Sequence, residues 1–182
     1  MAGDVRYGSY VAVAWERAVA EGQVDIRPYR TDWVQRFETE AATLAALCAP
    51  LTLSIEHVGS TAVPGLSAKP IIDVLIGLER WSDAEALGAK LEAAGYSRGA
   101  PPGPEAEQMF FADGLEDART HIHVALLKGG HWSRLLAFRD ALRGDAALAH
   151  AYQALKLALA DEVSPDAYSP AKSPFIQAVL GK

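Results

Sequence analysis

The spacing of hydrophobic and polar residues divides the chain into helices and strands. Apolar residues recur every three or four positions across 31–48, which is typical of an amphipathic helix. A nearly unbroken apolar run at 71–78 predicts a strand that is buried on both faces. Residues 51–58 predict a strand before it, and the segment 59–70, with two prolines and two glycines, predicts the loop that joins them.

The remainder of the chain predicts further strands and then a run of helices. At 120–127 the residues alternate, with His121 and His123 on one side and aliphatic residues on the other, as in a strand. Neighbouring strands with few intervening helices favour an α+β fold, in which helices pack on a mixed α/β sheet. The other predicted elements are helices at 10–21, 82–94, 131–143, 146–162 and 174–180, strands at 24–27 and 108–112, and a Ser/Pro loop at 163–173.

The length and composition bound the class of protein. A chain of 182 residues suits one domain at 24–182 with a small appendage, which the pattern predicts to be an N-terminal helical extension at 1–23. Half of the residues are hydrophobic and 22% are charged, so the chain can bury a core of ordinary size. This composition excludes a disordered chain, a collagen-like fibre and a coiled coil.

The balance of positive and negative charge restricts the kinds of molecule that the protein is expected to bind. The formal net charge is −6, with 17 Lys and Arg scattered among 23 Asp and Glu, which argues against an extended surface for nucleic acid. A pocket with a few cations for a small anionic ligand stays open. The sequence does not predict the oligomeric state.

The number of cysteines and the lengths of the apolar runs indicate the cellular compartment in which the protein is expected to work. Cys48 is the one cysteine of the sequence, which excludes an intrachain disulfide and a four-cysteine zinc site. This usage is consistent with a reducing, cytoplasmic setting. No apolar run reaches the roughly 18 residues of a membrane span, and charges interrupt the stretch 10–20, so we expect neither a membrane segment nor a signal-peptide core.

The residues between and within the two central strands indicate a binding site. The first strand runs into Gly59, Ser60 and Thr61, whose small side chains let backbone N–H groups approach a phosphate closely. Lys69 can add a point charge for the same anion. Asp73 lies inside an apolar strand, where an ionised carboxylate is costly unless it is paired or binds a metal. The pattern therefore predicts a site for phosphate and a divalent metal ion.

Several of these residues keep two interpretations. Asp73 is either a buried carboxylate that accepts backbone N–H bonds or a ligand of metal or substrate. His121 and His123 are either packed on the sheet or metal ligands, and Glu56 is a candidate to assist them. Lys172 lies in the predicted Ser/Pro loop and is a further candidate for the phosphate. By default Arg119, Arg139 and Lys156 are solvated surface cations.

The segment 55–77, which contains the string Gly-Ser-Thr-Ala-Val-Pro-Gly-Leu, resembles the GrpB family. That family is a branch of the nucleotidyltransferase superfamily, so the resemblance implies a nucleotidyltransferase-like fold of the polymerase-beta type, with C-terminal helices. Some relatives that the chain resembles are fused to dephospho-coenzyme A kinase. The resemblance extends over about 24–180, through segments at 28–37, 121–124, 138–142, 152–156 and 168–172.

The resemblance also implies a catalytic apparatus that this chain matches only in part. In the wider superfamily, Gly-Ser is followed by two carboxylates one residue apart, and a third from a neighbouring strand completes a site for two magnesium ions. Gly59, Ser60 and Asp73 match, which makes Asp73 the candidate catalytic residue, but Leu75 replaces the second acid. If a metal ion binds, Asp73 with His121 or His123 is the expected ligand set, and Zn²⁺ or Mn²⁺ is favoured over Mg²⁺.

Three functions follow from these observations. The first is binding of a nucleotide or another phosphorylated small molecule, with nucleotidyl or phosphoryl transfer as the reaction. The second is a non-catalytic ligand-binding or accessory module, for example in coenzyme A biosynthesis, which Leu75 favours. The third is a metal-dependent hydrolase that uses His121 and His123. The strand–loop–strand pattern and the resemblance predict that 52–58 and 71–78 are neighbouring strands and that the loop between them brings Ser60 close to Asp73.

Overall fold

The computed structural model describes residues 24–52, 54–99, 107–113 and 119–181. The helix predicted at 10–21 lies outside these residues. The elements in chain order are α1 (Asp32–Cys48), β1 (Ser54–Val58), a 3₁₀ turn (Ser60–Ala62), β2 (Ile72–Leu78), a 3₁₀ turn (Trp81–Asp83), α2 (Ala84–Ala93), β3 (Tyr96–Arg98), β4 (Gln108–Asp113), β5 (Thr120–Leu126), α3 (Gly130–Gly144), α4 (Ala146–Glu162), α5 (Pro165–Ala171) and α6 (Ser173–Val179).

Within the described residues, five strands form one sheet in the order β1-β2-β5-β4-β3. β2 and β5 run parallel, whereas the other neighbouring strands are antiparallel. The predicted α+β fold with a mixed sheet is therefore confirmed. The predicted pairing of the two central strands is confirmed as well, because β1 lies beside β2 with Val58 opposite Asp73.

Alternation along β2 sends its side chains to two differently covered faces. Val74, Ile76 and Leu78 are fully buried in a core shared with α1 and α2. Leu75 lies on the other face, in a cluster with Trp132 of α3. Asp73 shares the face of Leu75 but comes near the beginning of the strand, where it lines a cavity.

The loop between β1 and β2 is tied to the C-terminal helices. Val63 and Leu66 are buried against Leu142 of α3 and Tyr152 of α4. Arg143 adds a polar tie, because its guanidinium donates two hydrogen bonds, of 2.9 and 2.7 Å, to the carbonyl of Ala62. These contacts hold the loop over the Asp73 end of the sheet.

Three sequence predictions differ from the structure. The segment 163–173 is not a loop but contains α5, since Pro165 occupies the first turn, where a missing N–H costs little. The strand predicted at 24–27 is only an isolated bridge, in which Arg27 and Ala68 exchange backbone hydrogen bonds. β3, which the sequence did not predict, is three residues long and too short to show alternation. None of the helices among the described residues is long and apolar enough to cross a membrane.

Candidate functional site

A cavity of about 170 Å³ opens where the loop 59–70, the sheet and the C-terminal helices meet. It collects most of the residues that the sequence singled out. Among the described residues, its charged members are Lys69, Asp73, Lys156 and Lys172. The other residues that line it are Ser60, Thr61, Ala68, Ile71, Gln108, Met109, Phe110, His121, His123, His131, Tyr168 and Ser169.

Asp73 lies between two histidines. The parallel register of β2 and β5 places Asp73 beside His121, and His123 follows on the same face. The Asp73 Oδ1 atom is 3.4 Å from His121 Nδ1 and 3.5 Å from His123 Nε2. Burial alone would raise the pKa of Asp73, but hydrogen bonding to the two imidazoles outweighs it and holds the pKa below its usual range. Asp73 is therefore an ionised carboxylate.

Gly59 lets the loop approach this carboxylate. Its φ of 71° lies in the left-handed region, which favours glycine. A Cβ atom at Gly59 would lie 2.1 Å from Asp73 Oδ2, well inside the contact distance. Packing against Asp73 thus requires a glycine at this position. Ser60, the next residue, lines the cavity with Asp73 and lies near the Tyr152 side chain.

The hydroxyl group of Thr61 is hydrogen-bonded within the protein. Thr61 Oγ1 donates to the Ile71 carbonyl at 3.0 Å, so it accepts from His57 Nε2 at 3.1 Å. The His57 ring stacks on Phe37 with the ring centroids 4.5 Å apart. Burial lowers the pKa of His57 to about 4, so this ring is neutral near pH 7. The Thr61 side chain consequently braces the loop.

Three lysines of the described chain approach the cavity from separate elements. The ammonium groups of Lys69 and Lys172 lie 5.1 and 4.3 Å from the centre of the Tyr168 ring. Lys156 of α4 is 2% exposed and donates a hydrogen bond to the carbonyl of Ser67. Its ammonium also lies 5.0 Å from the centre of the Tyr152 ring. The ring faces supply electron density to these cations.

Burial disfavours the charged form of each of these lysines. Burial, followed by the nearby positive charge of Lys172, lowers the pKa of Lys156 to about 7. Burial lowers the pKa of Lys172 to about 8 against the opposing pull of Asp73. The pKa of Lys69 is well below its usual value because of burial and then the positive charge of Lys172. The folded chain thus concentrates positive charge at a point where water solvates it poorly.

The assignment of Lys156 to the solvated surface is wrong, because its side chain is buried at the cavity. A signal was available, because Tyr152 and Lys156 are four residues apart, as are Tyr168 and Lys172. On a helix this spacing puts the tyrosine and the lysine on one face. The sequence analysis missed His131. It lines the cavity near His123, and burial lowers its pKa to about 3.

Glu56 lies apart from the cavity. It is opposite Leu75 in the β1–β2 register, on the face that α3 covers. Its Oε2 accepts a hydrogen bond of 2.9 Å from Arg139 of α3, whose side chain is only 10% exposed. The default assignment of Arg139 to the solvated surface is therefore wrong. The pair lines a separate groove with Arg143.

The site does not fit two magnesium ions held by three carboxylates. Asp73 is the only carboxylate among the described residues that line the cavity. Leu75, at the position of the second acid, is fully buried with Trp132. Within the described ranges, no group of three or more His, Cys, Asp and Glu side chains is arranged to hold a metal ion. A single ion on Asp73 with His121 or His123 stays a prediction.

Sequence comparison assigns the family. The sequence model described as "GrpB protein" matches residues 23–182. The chain belongs to the GrpB family. The GrpB chain is 38% identical to the UPF0157 protein PA4798 of Pseudomonas aeruginosa, over 92% of this chain and 70% of that protein. The crystal structure of the conserved protein GrpB from Enterococcus faecalis superposes with a TM-score of 0.75 and 34% identity, covering 85% of this chain and 94% of that one.

A partial match of this GrpB chain connects it with a larger protein. It is 34% identical to the dephospho-CoA kinase of Mycolicibacterium paratuberculosis over 85 residues. That match spans 45% of this chain and 21% of the kinase. A segment related to GrpB thus occurs within a longer protein of that name.

The contact between Gly59 and Asp73 predicts unequal effects of alanine at two glycines of one loop. Gly59 and Gly65 both have positive φ, of 71° and 80°, but a Cβ atom at Gly65 meets nothing within 4 Å. Both substitutions carry a backbone cost of about 1–3 kcal/mol because of the positive φ, and Gly59, with a ψ of −171°, lies in a region that is open almost only to glycine. Gly59→Ala must also displace the Asp73 carboxylate, which adds about 1–3 kcal/mol. Urea unfolding of the two variants measures the difference, and equal destabilisation would contradict the proposed close contact.

The burial of Lys156 predicts a pH-dependent stability difference. Its pKa is lower in the folded state than in the unfolded state, so the unfolded chain binds more protons from about pH 7 to pH 10. The charge of Lys156 thus lowers wild-type stability below pH 7, and the loss is relieved as the pH rises. In urea unfolding, the free energy of unfolding of Lys156→Met should therefore exceed that of wild type by more at pH 6.5 than at pH 9.5. The exposed Lys128→Met is the control, and a pH-independent difference for Lys156→Met would refute the prediction.

Proposed function

We propose that the cavity binds a phosphorylated small molecule, a nucleotide included. The observation that carries the proposal is the convergence of Lys69, Lys156 and Lys172 on a cavity whose described lining contains a single carboxylate. Bringing buried ammonium groups together costs free energy in the unliganded protein, because each charge is desolvated and repels the others. A bound anion offsets both costs. A protein that only needed stability could fill this space with apolar side chains.

The loop 59–70 supports the same proposal. Ser60 offers a hydroxyl to the cavity and Lys69 an ammonium group, and these two come from opposite ends of the loop. Gly59 lets the backbone before Ser60 approach the sheet closely. Short, glycine-containing turns of this kind are common at phosphate sites. Ser60 and Lys69 together give the cavity a hydroxyl and an ammonium group for an anion.

The accessory, non-catalytic module is the form of this function that the site favours. Leu75 replaces the second acid of the superfamily and is built into the packing beneath α3. Restoring a carboxylate there would place a charge in a closed apolar cluster. The partial likeness to a dephospho-CoA kinase supports an accessory role, since a segment related to GrpB occurs there beside other sequence. Asp73 would then orient the histidines and balance the lysines.

The proposal predicts that Lys69→Ala weakens the binding of phosphorylated ligands. A charge-assisted hydrogen bond contributes about 1.5–3 kcal/mol, which corresponds to a loss of about 10- to 100-fold in affinity. Calorimetry with AMP, ATP and pyrophosphate on wild type and variant provides the measurement. Lys128→Ala removes the same charge from the surface and should leave every affinity within about twofold. If Lys69→Ala binds these ligands with the affinity of wild type, Lys69 does not contribute to the binding site.

The incomplete carboxylate set predicts little or no nucleotidyl transfer with Mg²⁺ and ordinary nucleoside triphosphates. One carboxylate is a weak Mg²⁺ site, and a two-metal mechanism needs further oxygen ligands. A turnover assay over several triphosphates with Mg²⁺, Mn²⁺ and Zn²⁺ tests this on wild type and Asp73→Asn. Binding without turnover supports the module. Robust Mg²⁺-dependent transfer that Asp73→Asn abolishes would establish the enzyme instead.

A further inference from the structure

The charge, size and shape of the cavity restrict which phosphorylated molecule it can hold. When all three lysines are protonated, as a bound anion favours, they contribute three positive charges, and Asp73 contributes one negative charge, which leaves two positive charges among the described lining residues. A phosphate monoester carries nearly two negative charges at neutral pH, because its second pKa is about 6. The cavity and a monoester dianion are therefore complementary in charge without a metal ion.

The size of the cavity separates a monoester from a triphosphate. A complex of Mg²⁺ with a nucleoside triphosphate has a similar net charge, so charge alone does not decide between them. The cavity of about 170 Å³ is smaller than the roughly 300–1,000 Å³ typical of pockets for drug-sized ligands. It has room for one phosphoryl group and a small organic group.

The far wall of the cavity indicates the character of that organic group. Leu75, His123 and Phe110 follow one another across β2, β5 and β4 in the strand registers. Since strands lie about 4.8 Å apart, Phe110 lies about 10 Å across the sheet from β2. Its ring centre is 5.0 Å from that of His121 and 5.4 Å from that of His123. Phe110, His121 and His123 thus form an aromatic wall of the cavity, whereas Lys69 and Lys172 approach the cavity at the ring of Tyr168.

We infer that the cavity binds a small phosphate monoester without a metal ion, with its phosphoryl group at the lysines and a flat organic group against the wall formed by Phe110, His121 and His123. Aromatic rings in edge or offset contact add attraction beyond the area that they bury. Gln108 lines the same end and offers an amide to a polar substituent of the ring. This inference rests on the proposed function and narrows its ligand class.

Calorimetry on the full chain tests the ligand class with four probes: inorganic phosphate, phenyl phosphate, AMP and ATP with Mg²⁺. We expect phenyl phosphate to bind at least about fivefold more tightly than inorganic phosphate and than ATP with Mg²⁺. EDTA should leave the affinities for inorganic phosphate and for phenyl phosphate unchanged. Tightest binding of ATP with Mg²⁺, or loss of phenyl phosphate binding in EDTA, would overturn the inference and leave the proposed function standing. No binding of any probe would overturn both.

A substitution in the wall tests the orientation of the ligand. Phe110→Leu should lower the preference for phenyl phosphate over inorganic phosphate to about twofold or less. Phe111→Leu is the matched control, because Phe111 is buried in the core on the other face and does not line the cavity. Circular dichroism and thermal unfolding verify that both variants are folded. An unchanged preference in Phe110→Leu, or an equal loss in both variants, would overturn the placement of the organic group.

Discussion

The close packing of the Gly59 backbone on the Asp73 carboxylate is the contact on which the site depends. The glycine has no Cβ to hold the loop away, so the loop 59–70 can fold down over the beginning of β2. The loop carries Ser60 at one end and Lys69 at the other, and burial of Val63 and Leu66 against α3 and α4 keeps it there. The loop, the sheet and the C-terminal helices consequently enclose one cavity.

The lysines of the cavity lower the stability of the unliganded chain, whereas the same groups would favour the binding of an anion. Lys156 is almost completely buried, and burial and charge repulsion lower the pKa of each cavity lysine. Neither effect helps the unliganded chain to fold. Both favour an anion, which restores the charged form of the lysines and pairs with it. Asp73 balances part of the charge and at the same time positions His121 and His123.

The face of β2 that holds Asp73 also departs from the carboxylate pattern that the resemblance to the nucleotidyltransferase superfamily implies. Two positions further along this face, Leu75 is sealed by Trp132, so the strand offers one carboxylate to the cavity and apolar packing to α3. β5 adds histidines where the superfamily would add an acid. A site of this composition offers ammonium and hydroxyl groups, rather than carboxylates, for the proposed binding of phosphate.

The sequence by itself determined the elements with strong periodicity and the local motif. Helix α1, the paired strands β1 and β2, and the run from Gly59 to Asp73 follow from patterns within a few residues, because burial on one or both faces dictates those patterns. Only the tertiary structure decided which distant residues meet there. Lys156 and His131 look like ordinary surface residues in sequence, and Glu56 looks like a partner of Asp73. The packing of α4 buries Lys156 in the cavity, while Arg139 of α3 pairs with Glu56 outside it. The two contacts join residues 83 and 89 positions apart, so no local pattern encodes them.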